Sequence, residues 1–125
     1  MVMDGWRYIV QRFLTDVMDI YRHESVTNDD GTEDTVLPDT PKYFAVPCLI
    51  SFPSMESAQD SEIDEVRVRY QVKIFCDIET DIREGDYVVA TRTVNGVQHK
   101  YEGIAGLPNV YPIHIEFLIS IDRSA

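Results

Sequence analysis

Alternation between apolar and polar positions is the strongest pattern in the chain, and it predicts strands. From Val66, the residues Val66, Val68, Tyr70, Val72, Ile74, Cys76 and Ile78 fall on one face, with Arg67, Arg69, Gln71 and Lys73 opposite; Phe75 alone breaks the polar row. The same period returns near the end of the chain, where Ile113, Ile115, Phe117, Ile119 and Ile121 oppose His114, Glu116, Ser120 and Asp122, after Pro108 and Pro112 as punctuation. Between these segments, the β-rich runs Asp86 to Val94 and Val97 to Gly103 flank Asn95-Gly96. That dipeptide suits a type I′ hairpin, because both central residues of the turn need positive φ. A further strand is predicted over Tyr43 to Phe52, with Phe44, Val46, Cys48, Ile50 and Phe52 on one face. Pro47 has no ladder donor to offer, so this strand should be an edge strand or a bulged one.

The N-terminal segment reads two ways. Trp6, Ile9, Val10, Phe13, Leu14, Val17, Met18 and Tyr21 fit a helical stripe, with Asp4 available as an N-cap. Val17, Ile20 and Tyr21 are also strand formers, so the expectation is a helical turn or two before about Thr15 and extended chain after it. Two stretches between the apolar runs are acidic. Glu24 to Pro41 holds Glu24, Asp29, Asp30, Glu33, Asp34 and Asp39 with Gly31, Pro38 and Pro41, and reads as a long loop. Pro53 to Glu65 holds Glu56, Asp60, Glu62, Asp64 and Glu65 with three serines, and reads as loop or short exposed helix. Neither contains Lys or Arg. About five strands with regular turn signals make the chain mainly β: residues 1–125 form a single small β-barrel domain with long acidic loops, about 24–41 and 53–65, and a possible short N-terminal helix.

Composition narrows the function. With 11 Lys plus Arg against 22 Asp plus Glu, the formal charge is -11, which disfavours a nucleic-acid binder, since phosphate affinity comes from basic side chains. Met1 to Gly5 lacks the basic start and apolar core of a signal peptide, which suggests a soluble protein that is not exported. Cys48 and Cys76 stand 28 positions apart in apolar segments without a CxxC pair, and read as two buried free thiols.

No motif for chemistry emerges. Placing Gly31 at the sixth position of a calcium loop puts Val26 first and Leu37 twelfth, where oxygen ligands are required. His23, His99 and His114 lack metal-ligand spacing and are expected to face solvent. No GxSxG elbow, GxxxxGK[ST] loop or GxGxxG turn occurs, and Gly85, Gly96, Gly103 and Gly106 look like turn residues. No enzyme, cofactor or metal is expected.

One resemblance bears on function. Ile82-Arg83-Glu84-Gly85-Asp86-Tyr87-Val88-Val89, the hairpin return Tyr101-Glu102-Gly103-Ile104 and the final strand His114-Ile115-Glu116-Phe117-Leu118-Ile119 resemble the head-closure, or stopper, proteins of tailed phages, found also in Bacillus prophages including defective ones. The match spans roughly residues 66 to 121. It implies a β-barrel virion protein at the head-tail interface, assembled in the bacterial cytoplasm as a ring of copies beneath the portal and adaptor rings. A tail-completion protein docks on that ring, DNA meets it only as a barrier, and no membrane is involved.

In that family a loop joining the second and third strands closes the channel. Here it corresponds to Pro53 to Glu65, with Ser54, Met55, Glu56, Asp60, Glu62, Asp64 and Glu65 as candidate plug residues. Carboxylates ringing a channel would repel phosphate. Trp6, Tyr8, Phe13 and the Tyr111 region are candidates for subunit contacts. The alternative is a monomeric SH3-like or OB-like module whose acidic loops recognise a basic protein partner.

Overall fold

The computed structural model describes residues 12–52 and 67–124. They form a six-stranded antiparallel β-barrel with one extra strand and a separate hairpin, and beyond the helical pair Arg12 and Phe13 no helix occurs among the described residues. The barrel strands are β1 (Asp16–Tyr21), β4 (Tyr43–Ser51), β5 (Arg67–Asp77), β6 (Tyr87–Val94), β7 (Val97–Ala105) and β9 (His114–Ser124). Their order is β5-β4-β1-β6-β7-β9, and β9 returns to pair with β5. The two-residue β8 (Asn109–Val110) adds to β9 beside β7. The hairpin of β2 (Glu24–Thr27) and β3 (Glu33–Val36) stands apart from this sheet.

The alternating segments fold as their pattern predicts. Val72, Ile74 and Cys76 of β5 point inward and are fully buried, as are Phe117 and Ile119 of β9, while Gln71, Lys73 and Ser120 face out. Met18 and Ile20 of β1, Ile50 of β4 and Val88 and Ala90 of β6 complete the core, with Ile82 closing it from the connection before β6. Asn95 (φ 51°) and Gly96 (φ 79°) form the two-residue turn between Val94 and Val97, as a type I′ hairpin requires. Residues 16–21 are strand, which resolves the helix-or-strand ambiguity there and leaves Val17 facing outward. Of the possible helix before them, Arg12 and Phe13 are described and are helical, while residues 1–11 lie outside the described residues.

Three expectations are corrected. Residues 24–41 are not simply loop: Glu24 pairs with Val36 and Thr27 with Glu33 in a hairpin whose eight strand residues are all exposed. It has no buried face, and therefore no alternation to read. In β4, Phe44 is 67% exposed rather than inward. The register against β1 shifts between Met18 and Ile20, where Ala45 adopts φ 48° and its N–H donates to Asp19 Oδ1 at 2.9 Å. That bulge turns Phe44 outward and brings Tyr43 against the core in its place. Pro47 is therefore in a bulged strand but not at an edge; it lies one residue before the ladder with β5 begins at Cys48, so its missing donor costs little.

Gly103 is the third correction. It is no turn residue but lies within β7, where that strand passes from β6 to β9, and a Cβ there would collide with the backbone carbonyl of Ser120. Only glycine permits that approach.

Two outcomes test this account. Val72→Asp places an unpaired charge in the sealed interior, and should remove about 5 kcal/mol or more, enough to unfold a domain of ordinary stability. Circular dichroism of a cooperatively folded variant would show that the faces of β5 are reversed. Gly103→Ala should lower stability by about 1–3 kcal/mol in urea titration, because a backbone oxygen cannot move aside as a side chain can.

Candidate functional site

Two arginine-carboxylate clasps border the acidic stretches of the chain, one at the roots of the β2-β3 hairpin and one at the end of β4, just before position 53. The first lies at the hairpin. Arg22, immediately after β1, donates through Nε and Nη2 to the two carboxylate oxygens of Asp86 at 3.0 and 2.9 Å, and through Nη1 to Asp81 Oδ2 at 2.9 Å. Tyr43, the first residue of β4, donates its hydroxyl to the same Asp81 oxygen at 2.6 Å. Both roots of the hairpin segment are thus fastened to the connection between β5 and β6. Asp86 is buried and accepts a further bond from the Arg83 N–H at 2.9 Å, so its desolvated charge is met on several sides. The Arg22 guanidinium, aided by the Tyr43 hydroxyl, holds the Asp81 carboxyl well below the usual carboxylate range. Arg22, His23, Arg83, Glu84, Gly85 and Asp86 line a shallow depression of about 250 Å³ beside it.

The second clasp lies near the opposite end of β1. Asp16 is buried; its Oδ2 accepts from the Ile50 N–H at 2.9 Å and from Arg92 Nη2 at 2.9 Å, while Oδ1 accepts from Arg92 Nε at 3.0 Å. Arg92 also donates to the Ile50 carbonyl and lies over the Phe52 ring, 5.7 Å from its centroid. Phe52 meets Tyr101 edge to face at 5.2 Å. Each of these contacts fixes the last residues before position 53. The antiparallel registers put the end of β4, the start of β5 and the Asn95-Gly96 turn toward the same end of the barrel.

The candidate plug residues Ser54, Met55, Glu56, Asp60, Glu62, Asp64 and Glu65 lie outside the described residues. Their segment joins the second and third strands of the barrel, β4 and β5, which are antiparallel neighbours with Ser51 opposite Lys73. Of the proposed subunit-contact residues, Phe13 and Tyr111 are 65% and 44% exposed, whereas Trp6 and Tyr8 lie outside the described residues. His114 differs from its expectation. It is half-buried, stacked on Tyr111 at 4.8 Å, with Nε2 3.1 Å from Glu116 Oε1; His23 and His99 are exposed as expected. No cluster of three or more metal-ligating side chains occurs among the described residues, and no described helix is long and apolar enough to cross a membrane.

Charge divides sharply along the chain. Segments 24–41 and 53–65 together hold eleven of the 22 acids and none of the 11 Lys and Arg. The rest of the chain is therefore formally neutral, and the whole charge of -11 belongs to these two segments. Within the hairpin, Asp30 accepts from the Thr32 hydroxyl and N–H, and Asn28 reaches Thr32 and Asp34, so the turn is ordered by its own polar groups.

Sequence reasoning found both acidic segments through their composition but neither clasp. Arg22 lies 64 residues from Asp86, and Arg92 lies 76 from Asp16. A faint signal was available: Asp16 and Asp86 occupy positions where strand alternation calls for an apolar side chain. Comparison of the chain with protein-family models, curated proteins and solved structures finds no match.

Asp81 links the hairpin root to pH. Its folded carboxyl binds a proton less readily than the unfolded one, so the stabilisation is complete above about pH 5 and is lost as pH falls through and below the ordinary aspartate value of about 3.9. Asp81→Asn should lower stability at neutral pH by about 1 kcal/mol, a modest figure because the side chain is partly exposed and screened. It should also flatten the loss of stability between about pH 5 and 2. Urea titrations across that range would expose an unchanged acid limb, and with it an error in the assignment to Asp81.

Proposed function

We propose that this chain is a structural subunit of a tailed-phage head-tail connector: a barrel that assembles as a ring beneath the portal and adaptor, closes the DNA channel, and presents the surface on which the tail docks. The observation that carries the reading is the partition of charge between a neutral barrel and an acidic segment tethered at both ends to neighbouring strands. Five carboxylates per copy in segment 53–65, repeated around a ring, create a negative collar that repels phosphate and prevents packaged DNA from adhering. Phe52 and the Asp16-Arg92 clasp give that segment a fixed root on the β4 side. Support also comes from the residues of the resemblance: Gly85-Asp86 leads into β6, Tyr101 lies on the return strand of the hairpin, and His114–Ser124 is the closing strand of a barrel.

A second reading is favoured by the other acidic segment. The fully exposed β2-β3 hairpin offers Glu24, Asp29, Asp30, Glu33 and Asp34 with no interspersed cation, which suits recognition of a basic protein surface by a monomeric module.

Deleting the gene from its phage or prophage and restoring it as variants separates these readings. With the gene deleted, electron microscopy should show free tails beside heads that have lost DNA. Replacing Glu56, Asp60, Glu62, Asp64 and Glu65 by Gln or Asn should leave the thermal midpoint of the barrel nearly unchanged while impairing DNA retention or release. Normal retention and release with that variant would remove the plug assignment. Joined, filled particles without the gene would remove the connector role and leave the binding module, whose partner should then be lost on neutralising the hairpin acids.

A further inference from the structure

Cys48 and Cys76, the only cysteines in the chain, come together in the structure as directly opposed partners on β4 and β5. Both are free, and both side chains are fully buried on the inner face of the barrel. Directly opposed residues of antiparallel strands have Cα atoms about 4.5–5.5 Å apart. That spacing lies inside the range of about 4.4–6.8 Å that a disulfide spans. A slip of one residue in either strand would turn one of the two side chains out to solvent.

We propose that Cys48 and Cys76 form an oxidisable pair, a latent cross-strand disulfide site that takes a small-molecule disulfide such as oxidised glutathione as its oxidant. The reaction is two successive exchanges. The Cys76 thiol gives up its proton and its sulfur attacks the small disulfide, whose S–S bond breaks and releases one thiolate, leaving a mixed disulfide on Cys76. The deprotonated Cys48 sulfur then attacks Cys76 Sγ and expels the second small thiolate. Two protein thiols are oxidised, one small disulfide is reduced to two thiols, and the protons shed by the cysteines end on those leaving groups.

Burial pushes the Cys76 thiol up to about 11 and the Cys48 thiol further still, the latter also beside the Asp16 carboxylate. Both therefore stay protonated and inert while the barrel is shut. Cys76 is the readier nucleophile, since a hydrogen bond with Thr80 offsets part of its burial. Oxidation thus requires β4 and β5 to part locally, and the bond that forms on reclosure ties the two strands that bracket segment 53–66. In a compartment rich in thiols the pair remains reduced, and it closes once the protein meets an oxidising one. This inference stands apart from the connector reading and would hold for a monomeric module equally.

The test uses the full-length protein, incubated with oxidised glutathione at temperatures approaching its unfolding midpoint so that the strands open, with reduced protein as reference. The expected product is a monomer lighter by two hydrogens, with a Cys48–Cys76 cross-link in its peptide map. Its thermal midpoint should rise on the order of 10 °C and return on treatment with dithiothreitol. Two free thiols after incubation, stable glutathione adducts on single cysteines, or a disulfide between chains would each overturn the proposal. Cys48→Val, if folded, should take up no intramolecular bond and show no oxidant-dependent midpoint shift; a shift of the same size in that variant would equally sink it.

Discussion

Six strands become a barrel because β5 pairs along its whole length with β9, from Arg67 opposite Ser124 to Asp77 opposite His114. Without that ladder both strands would be long edges with a row of unpaired N–H and C=O groups, and the apolar faces of the sheet would have nothing to close upon. With it, each alternating strand aims one face at the same interior, and the register leaves no freedom, since a slip of one residue would send Val72, Ile74 and Cys76 outward together. The close passage of β7 over β9 at Gly103 and Ser120 completes the circuit on the other side.

Legibility followed burial. β5, β9 and the Asn95-Gly96 hairpin each carry a half-buried face or a turn with a demanding backbone, and these leave period-two alternation or a diagnostic dipeptide in the sequence. The β2-β3 hairpin buries neither face, so nothing in Glu24-Ser25-Val26-Thr27 or Glu33-Asp34-Thr35-Val36 distinguishes strand from loop. The bulge at Ala45 is silent for a different reason: the residue that takes positive φ is not the glycine or asparagine that usually announces it, and the bond to Asp19 that holds it comes from a separate strand. Of the candidate site, the acidic stretches were visible as composition. Their roots were not, because the clasps and the cysteine pair depend on strand order, which no local pattern encodes.

The cations of this chain are partly committed before any partner is met. Arg22 serves Asp81 and Asp86, and Arg92 serves Asp16. A buried carboxylate stripped of its arginine is costly, so these cations are not available to screen the acidic segments. The field that the acidic segments project is limited in reach by salt, to about 8 Å at physiological ionic strength. Any assembly of copies that brought like acidic segments within that distance would have to offset their repulsion.

The two clasps divide the work of holding those segments. Arg22 and Tyr43 meet on Asp81, so both roots of the hairpin segment are fixed to one carboxylate at one end of the barrel. At the other end, Asp16 and Arg92 grip the backbone of Ile50 and Arg92 lies over Phe52, which fixes where segment 53–65 departs. Both clasps use β1, from Asp16 at its start to Arg22 just past its end, and β1 sits between β4 and β6 in the sheet. A short strand with a charged group at either end positions both acidic segments, while its inward residues Met18 and Ile20 are sealed in the core. The two acidic segments thus share one structural root: β1 holds the hairpin through Arg22 just past its end and the exit from β4 through Asp16 at its start.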